Sequence, residues 1–324
     1  MRKRCARYEL AWAAAAIGCL ISFGLPVHAQ VKGLEIVAPG NPGSGYDQTA
    51  RGLQETLQSA KLASGVQVIN VPGAGGTVGL AQFVTGRKRN PSVLVVAFSL
   101  VGSIVTNKPA VTLDNAPPLA RLIREWEVIT VPANSDIKTF ADVVAKLKAD
   151  PSSVSWALGS PAGIDHVLAG QIAKAVGVDP SKLKVVHYSG GGEQVAATLG
   201  GHVTLAVGGV PEFTPQVQAG TLRAIAVSSP ERLPGADTPT LKEQGVDVAL
   251  GTWRGLMMHP QTSEADKKAL AEAVAQMVKS PVWKDVSTKY GWIEAYQPAA
   301  EFGAFLKEQQ TLVGEALKDL GLAK

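Results

Sequence analysis

The chain has 324 residues, enough for two domains, and its 34 glycines and 20 prolines suit an α/β protein with many short loops. Only 18% of its residues are charged and 6% are aromatic, a composition that excludes a coiled coil or a disordered chain. The formal net charge is +4, and the first 29 residues hold most of that excess.

Residues 1–29 have the pattern of a secretory signal peptide. Four basic residues precede an apolar run from Leu10 to Leu25, and Val27-His28-Ala29 offers small residues for cleavage after Ala29. We therefore predict an exported, periplasmic protein that begins at Gln30. A retained membrane anchor is the alternative, but the run is short for a spanning helix. Cys19 weakly resembles a lipoprotein cleavage site, although the usual leucine at −3 is absent.

Removal of this segment changes two properties of the chain. The mature protein has 27 basic and 26 acidic residues, a net charge of +1, so the pI of about 9.0 is no argument for a nucleic-acid partner. Cys5 and Cys19 are lost with the segment. The mature chain then has no thiol, needs no disulfide and cannot use cysteine chemistry.

The first elements of the mature chain form a strand, a glycine-rich loop and a helix. The apolar run Leu34–Val37 predicts a buried strand, and the prolines and glycines of 39–45 forbid regular structure. A helical pattern follows Asp47, with Ala50, Leu53 and Leu57 on one face. Such a loop leaves backbone N–H groups free at a helix N-terminus, where an anion is favoured. A tight turn without a ligand is the alternative.

The same sequence of elements then recurs. Val66–Val71 predicts a second strand, followed by the loop Pro72–Thr77 and a helical pattern. Two more strands are predicted at Val93–Phe98 and Glu127–Val131. Strands that alternate with helices in this way indicate βαβ units and parallel sheets covered on both faces.

A second cycle begins with an amphipathic helix predicted over Asp136–Asp150. The strands predicted after it are Val154–Leu158, Lys184–His187, Val203–Val207, Leu222–Val227 and Trp253–Met258. Glycine loops follow the strands at 159–163, 188–193 and 208–211. The predicted tail is helical, with Ser263 as a cap and helices at about 263–279, 282–289 and 299–320.

Two such cycles predict an α/β fold of two lobes, each a mainly parallel sheet flanked by helices. We assign residues 30–130 and 254–324 to lobe 1 and residues 131–253 to lobe 2. Because glycine loops follow the carboxyl ends of the strands, where α/β sheets bind ligands, we expect a small-molecule cleft between the lobes.

Several kinds of chemistry lack a sequence signature. Gly73–Gly79 fails the dinucleotide pattern, because its third glycine is one residue late and no acidic residue follows at the required distance. A phosphate loop and a serine nucleophile elbow are also missing, and the four histidines of the mature chain form no zinc-binding pair. We therefore expect no cofactor and no metal.

These motifs together resemble the substrate-binding receptors of the tripartite tricarboxylate transporter family, the Bug (TctC-type) receptors. The resemblance covers essentially the whole mature chain. The segments that carry it are 39–51, 70–79, 159–166, 188–193, 199–203, 219–227, 238–241 and 253–255.

The resemblance implies a two-lobe, type II-like periplasmic binding protein that closes over a carboxylated metabolite and delivers it to membrane permease subunits. The signatures at 46–51 and 253–255 are similar to the citrate-type branch, so a di- or tricarboxylate is favoured. Many members carry an acidic or amide residue after the strand predicted at Val203–Val207, where this chain has Gly208-Gly209.

The resemblance also suggests which residues hold the ligand. Gly43, Ser44 and Gly45 would present backbone amides, whereas Asp47 would mainly cap the first helix with Arg51 as its partner. The full set of predicted ligand-binding residues is Gly43, Ser44, Gly45, Tyr46, Asp47, Gly75, Gly76, Thr77, Ser99, Ser160, Gly163, His166, Ser189, Gly191, Glu193, Gly209 and Arg254.

Two other functions remain open at this point. The chain would be a ligand-sensing module if its partner were a membrane sensor kinase instead of a permease. It would be a secreted hydrolase if Ser44 or Ser189 were a nucleophile, although no base lies at a recognisable spacing. We favour a monomeric receptor that is not an enzyme and binds no nucleic acid.

The signal peptide gives a direct prediction. Protein recovered from the periplasm should begin at Gln30, because the small residues Val27 and Ala29 flank the expected cleavage point. Intact-mass spectrometry with N-terminal sequencing measures this. An intact Met1, or a lipid on Cys19, would contradict it.

Overall fold

The computed structural model describes residues 30–87 and 90–323. The predicted signal peptide, residues 1–29, lies outside these residues. Within the described ranges, no helix has both the length and the apolar character needed to cross a membrane.

The described chain alternates strands and helices, as the sequence predicts. The strands are β1 (Val31–Lys32), β2 (Glu35–Ala38), β3 (Ala63–Ser64), β4 (Gln67–Asn70), β5 (Ser92–Ala97), β6 (Pro118–Pro132), β7 (Ser155–Leu158), β8 (Lys184–His187), β9 (Leu205–Gly209), β10 (Leu222–Val227), β11 (Gly251–Met258) and β12 (Ile293–Pro298). The helices are α1 (Gly45–Ser59), α2 (Thr77–Thr85), α3 (Phe98–Asn107), α4 (Phe140–Ala149), α5 (Ile164–Ala175), α6 (Gly191–Leu199), α7 (Val210–Gln218), α8 (Glu264–Met277), α9 (Pro281–Lys289) and α10 (Ala299–Asp319).

Lobe 1 is built on a mixed sheet. Strands β4, β2 and β5 are parallel neighbours, as the βαβ pattern predicts, and β11 then pairs antiparallel with both β5 and β6. Strand β12, which the sequence analysis did not predict, pairs antiparallel with the first half of β6. Helix α8 begins after Ser263, whose side chain accepts a hydrogen bond from the Asp266 N–H, so the predicted cap is present.

Strand β6 belongs to both lobes. Its residues up to Trp126 pair with β11, and from Glu127 onward they pair with β9 and β10. The chain returns to lobe 1 at Gly251, which faces Trp126. We propose these two positions as the crossings between the lobes; the predicted boundaries after residues 130 and 253 lie close to them.

Lobe 2 repeats the parallel arrangement on a smaller scale. Strand β7 lies between β8 and β9 and is parallel to both, and β9 and β10 are antiparallel to β6. Each lobe has its own apolar core. Lobe 1 packs Trp253, Trp283 and Phe302, and lobe 2 packs Phe140 and Trp156.

The last helix connects the two lobes. Along α10, Phe302 and Leu306 are buried in the core of lobe 1. At its end, Leu320 packs against Gly170 of α5, and Lys174 of that helix forms an ion pair with Asp319 at 2.6 Å. Besides β6 and β11, α10 is thus a third link between the lobes.

The loops of the two lobes touch across the cleft. The Asn41 side chain donates a hydrogen bond to Glu193 at 3.1 Å, and the Ile164 N–H donates to Ser99 Oγ at 3.4 Å. Gly102 of α3 lies so close to the Ala162 carbonyl that a Cβ would collide with it. The structure is therefore a closed form of the protein.

Candidate functional site

Two adjoining cavities lie between the lobes, where loops follow the carboxyl ends of the parallel strands. The larger has a volume of about 250 Å³ and the smaller about 80 Å³. They share four lining residues, Tyr46, Ser160, Tyr188 and Ser189, so the two cavities lie next to each other.

The larger cavity is named here the glycine-loop compartment, because residues 72–76 form one wall of it. Gly73, Gly75 and Gly76 have φ values of 132°, 65° and 98°, which glycine adopts without strain. Residues 74–76 form a 3₁₀ turn that leads directly into α2. This backbone path turns N–H groups toward the start of a helix, where the helix dipole favours negative charge.

The N–H groups of this turn have spare donor capacity. Within the described residues, those of Gly73, Ala74 and Gly75 make no hydrogen bond, whereas the Gly76 N–H donates to the Gly73 carbonyl. Asp and Glu side chains do not contribute to the lining of this compartment within the described ranges. Free N–H donors without nearby carboxylates suit an anionic group.

The first glycine loop mainly supports α1. Ser44 caps the helix, and the Asp47 carboxylate accepts hydrogen bonds from the Gly43 N–H and from the side chains of Arg51 and Asn70. Burial alone would raise the pKa of Asp47, but these hydrogen bonds hold it below its ordinary value. Asp47 lines neither cavity, an arrangement consistent with the predicted capping role.

The smaller cavity is named the acidic compartment. Three acidic residues, Glu127, Asp165 and Glu212, line it. Among the described residues, Arg254 is the single basic residue of its lining. These side chains come from β6, α5, α7 and β11, so both lobes contribute to it.

Arg254 is already engaged in an ion pair. Its Nε and Nη2 atoms donate to one oxygen of Glu125 at 3.1 and 2.9 Å, and both side chains are buried. Burial would lower the pKa of Arg254, but Glu125 and Glu212 outweigh it and raise the pKa. The guanidinium lies directly over Gly45, where any Cβ would collide with it.

Glu127 differs from the other carboxyl groups. Its side chain is 1% exposed and lines the cavity, yet its carboxylate makes no hydrogen bond or ion pair within the described residues. Burial, reinforced by Asp165, Glu125 and Glu212 and opposed by Arg254, raises its pKa well above the usual value.

Glu212 and Asp165 have backbone donors. Glu212 accepts from the N–H groups of Gly191 at 3.3 Å and Gly209 at 3.1 Å, and Asp165 accepts from the Gly159 N–H. Burial raises the pKa of Glu212 to about 7, and it also raises the pKa of Asp165. Glu212 thus occupies the place where the sequence analysis found only Gly208-Gly209.

His166 lies beside the cleft instead of lining it. Its Nδ1 accepts a hydrogen bond from the Ala162 N–H at 3.2 Å, and its ring lies 4.9 Å from that of His187. Burial, and secondarily His187, lowers the pKa of His166 to about 4, so the ring is neutral at pH 7. His187 itself lines the glycine-loop compartment.

The structure brings most of the predicted ligand-binding residues to the cavities. Those that line one or both are Ser44, Gly45, Tyr46, Gly75, Gly76, Ser99, Ser160, Ser189, Gly191, Gly209 and Arg254. Those that line neither are Gly43, Asp47, Thr77, Gly163, His166 and Glu193. That the lining residues contact a ligand stays a prediction.

Sequence reasoning missed the three acidic residues of the smaller cavity. Glu127 begins a run that was interpreted only as a buried strand, although a charged residue inside such a run is a signal for function. Glu212 lies in the first turn of α7, and Asp165 in the first turn of α5. Acidic residues are common at those positions as helix-dipole partners, so they gave no separate signal.

Within the described ranges, no group of three or more His, Cys, Asp or Glu side chains is arranged to hold a metal ion.

Comparison with known proteins points to one family. A family model described as "Tripartite tricarboxylate transporter family receptor" (TctC) matches residues 49–322. A UPF0065 protein from the gbd 5′ region of Cupriavidus necator is 27% identical over 330 residues, covering 98% of this chain and 97% of that protein.

Solved structures agree with this comparison. The periplasmic binding protein BugD matches with a TM-score of 0.82 and 22% identity, over 90% of this chain and 99% of that one. MatC of Rhodopseudomonas palustris, with bound malate, matches with a TM-score of 0.75 and 19% identity, over 89% of this chain and 99% of that one. These likenesses confirm the predicted two-lobe α/β fold of a periplasmic binding protein.

The raised pKa of Glu212 predicts how stability depends on pH. An acid whose pKa is about 7 when folded and near 4.5 when unfolded stabilises the ligand-free protein fully below pH 4.5. That stability is lost as the pH rises through 7. We expect the contribution of Glu212 to the free energy of unfolding to fall by about 1–3 kcal/mol between pH 5 and pH 8, whereas the lowered pKa of His166 adds stability as the pH rises from 5 to 6.5. Chemical denaturation at several pH values measures it.

Substitution isolates the contribution of that side chain. Glu212→Gln should remove the fall in stability that this side chain causes between pH 5 and pH 8, whereas Glu315→Gln, at an exposed position of α10, should leave the profile unchanged. Equal profiles for Glu212→Gln and the wild type would show that Glu212 titrates normally in the folded protein.

Proposed function

The chain belongs to the tripartite tricarboxylate transporter receptor family, and we propose that it captures a small carboxylate between its lobes and delivers it to membrane permease subunits. Receptors of this family are periplasmic and bind solutes without transforming them. We place this chain in the periplasm, as a monomer that is not an enzyme.

One observation carries the carboxylate assignment. The turn at 73–75 presents three N–H groups without partners within the described residues, in a cavity of about 250 Å³ that no Asp or Glu side chain of those residues lines. Charge-assisted hydrogen bonds from such donors are worth about 1.5–3 kcal/mol each. The hydroxyl groups of Ser160 and Ser189, which line the same cavity, complete the set of donors.

The site supports a carboxylate ligand in general more strongly than it supports the citrate-like ligand that the sequence favours. A second or third carboxylate of such a ligand would reach the acidic compartment, where Glu127 and Glu212 would repel it. We therefore propose a small carboxylate without assigning it to the citrate type. Citrate, malate and adipate remain in the test panel.

The alternative of a secreted hydrolase receives little support from the geometry. The Ser44 hydroxyl accepts the Asp47 N–H as a helix cap. Within the described residues, the Ser189 hydroxyl makes no hydrogen bond to an imidazole, and the nearby His187 has its Nδ1 2.6 Å from the Gly159 carbonyl oxygen. A sensor partner in place of a permease would use the same binding cleft.

Ser160, one of the two serines that line both cavities, tests the site. Its hydroxyl makes no hydrogen bond within the described residues, so Ser160→Ala should leave stability unchanged and weaken carboxylate binding about ten- to hundredfold. Isothermal titration calorimetry against citrate, malate, adipate and the solute that co-purifies with the protein measures this. Ser153→Ala, at an exposed position of lobe 2, is the matched control. Wild-type affinity of Ser160→Ala for every carboxylate would place the site elsewhere.

Closure of the lobes gives a second prediction. In Gly102→Ala, the new Cβ would collide with the Ala162 carbonyl across the cleft, so the lobes should stay apart when ligand is added. Small-angle scattering should show that the wild type becomes more compact with its co-purifying solute and that the variant does not. Gly314→Ala, on α10 with open space at its Cβ position, should close normally. Full compaction of Gly102→Ala would contradict a closing cleft.

A further inference from the structure

We propose that the ligand is an amino-carboxylate whose ammonium group lies in the acidic compartment and pairs with Glu127. This inference rests on the proposed function for the other half of the molecule, since the carboxylate lies in the glycine-loop compartment. The two compartments share Tyr46, Ser160, Tyr188 and Ser189, so they lie next to each other, and the proposed ligand spans them.

The charges of the acidic compartment are unbalanced. Its single guanidinium among the described residues, that of Arg254, is already paired with Glu125. Glu127, Asp165 and Glu212 have no cation of their own within those residues. Buried carboxylates are stable only when they are paired or protonated, and a ligand cation would supply the missing charge.

Glu127 is the group that most needs a partner. Asp165 and Glu212 each accept backbone N–H groups, whereas the Glu127 carboxylate is 1% exposed and has no hydrogen-bond or ion-pair partner in the described chain. It lines the cavity directly. A buried acceptor that lines a cavity and has no protein donor within the described residues indicates that the donor comes with the ligand.

The size of the compartment suits an ammonium group. Its volume of about 80 Å³ exceeds the roughly 30 Å³ that a water-sized group occupies, which leaves room for the attached methylene. Ser99 also lines the cavity, and its hydroxyl oxygen is a further acceptor. An ammonium group donates three hydrogen bonds, so it would find partners beyond Glu127.

Binding should release protons. Burial and the neighbouring Asp165, Glu125 and Glu212 raise the pKa of Glu127 despite the opposing charge of Arg254, so the ligand-free protein favours the protonated form of this carboxyl group more than an exposed glutamate would. An incoming ammonium keeps its own protons and favours the ionised carboxylate, so the Glu127 proton passes to the buffer. A ligand carboxylate in the same place would instead favour the protonated forms of the acidic side chains around it. Its binding would therefore be accompanied by proton uptake from the buffer.

Matched ligands test the proposal. Glutarate, 4-aminobutyrate and 1,3-diaminopropane each have three methylene groups and differ only in their ends, and adipate, 5-aminopentanoate and 1,4-diaminobutane extend the series by one. Calorimetry should show that an amino-carboxylate binds at least tenfold more tightly than the dicarboxylate and the diamine of equal length. Repeating the titration in two buffers of different ionisation enthalpy should show proton release, with affinity that rises from pH 5 to pH 7.

Substitution identifies the partner. Glu127→Gln should weaken binding of the amino-carboxylate ten- to hundredfold, abolish most of the proton release and leave dicarboxylate binding equal or tighter. Glu315→Gln, at an exposed position of α10, is the control. Thermal denaturation of each variant verifies folding. Unchanged affinity and proton release in a folded Glu127→Gln variant would overturn the assignment.

The outcomes separate this inference from the proposed function. Tighter dicarboxylate binding with proton uptake overturns the amino-carboxylate and leaves the carboxylate receptor intact. If a diamine binds most tightly of all and Ser160→Ala does not weaken that binding, both the amino-carboxylate inference and the proposed carboxylate receptor are overturned. If no member of either series binds, mass spectrometry of the co-purifying solute tests the proposal. A carboxylate with a basic nitrogen supports it, and a carboxylate without one overturns it.

Discussion

The buried ion pair between Arg254 and Glu125 is the interaction on which the cleft depends. It joins β11 to β6, close to the two positions that we propose as the crossings between the lobes. The guanidinium also lies against Gly45, so the same contact fixes the start of α1. Loss of one partner would leave an unpaired buried charge, which typically costs about 3–5 kcal/mol. The lobes, the first loop and the cleft floor are thus positioned by one pair.

Because this pair uses the cation of the acidic compartment, the carboxyl groups that remain there lack a counter-charge. Such an arrangement costs folding free energy, and no feature of the lobe cores requires it. Violations of this kind are expected at functional sites, where a protein gives up stability for recognition. The cleft is therefore polarised, with backbone donors at one end and acids at the other. A ligand with two unlike ends matches that polarity better than one with two like ends.

Much of the fold followed from local patterns in the sequence. Glycine and proline restrict the backbone within a few residues, so the loops at 39–45 and 72–77 were recognisable without tertiary information. The length of β6 was not, because Arg121, Arg124 and Glu125 interrupt its apolar pattern, and the predicted strand began only at Glu127. Strand β12 was missed because its residues are mostly exposed and lack a buried periodicity.

The acidic compartment was beyond sequence reasoning for a different reason. Its residues are separated by tens of positions along the chain, and each has an ordinary local interpretation as a strand residue or a helix-dipole partner. They form a cluster only because the fold brings β6, α5, α7 and β11 together. The ion pair between Asp47 and Arg51, by contrast, joins residues four positions apart on α1, and a local argument was sufficient to predict it, although the helix cap itself is Ser44.

Helix α10 has a consequence for how far the lobes can separate. Two strands alone would let lobe 2 twist as well as swing, but Leu320 and Asp319 hold α5 from a third direction. An exposed ion pair such as Lys174–Asp319 stabilises by less than about 1 kcal/mol, so this tether yields under small forces while still limiting rotation. Any motion that separates the lobes must therefore either break the contacts of Asp319 and Leu320 with α5 or carry the end of α10 along with lobe 2.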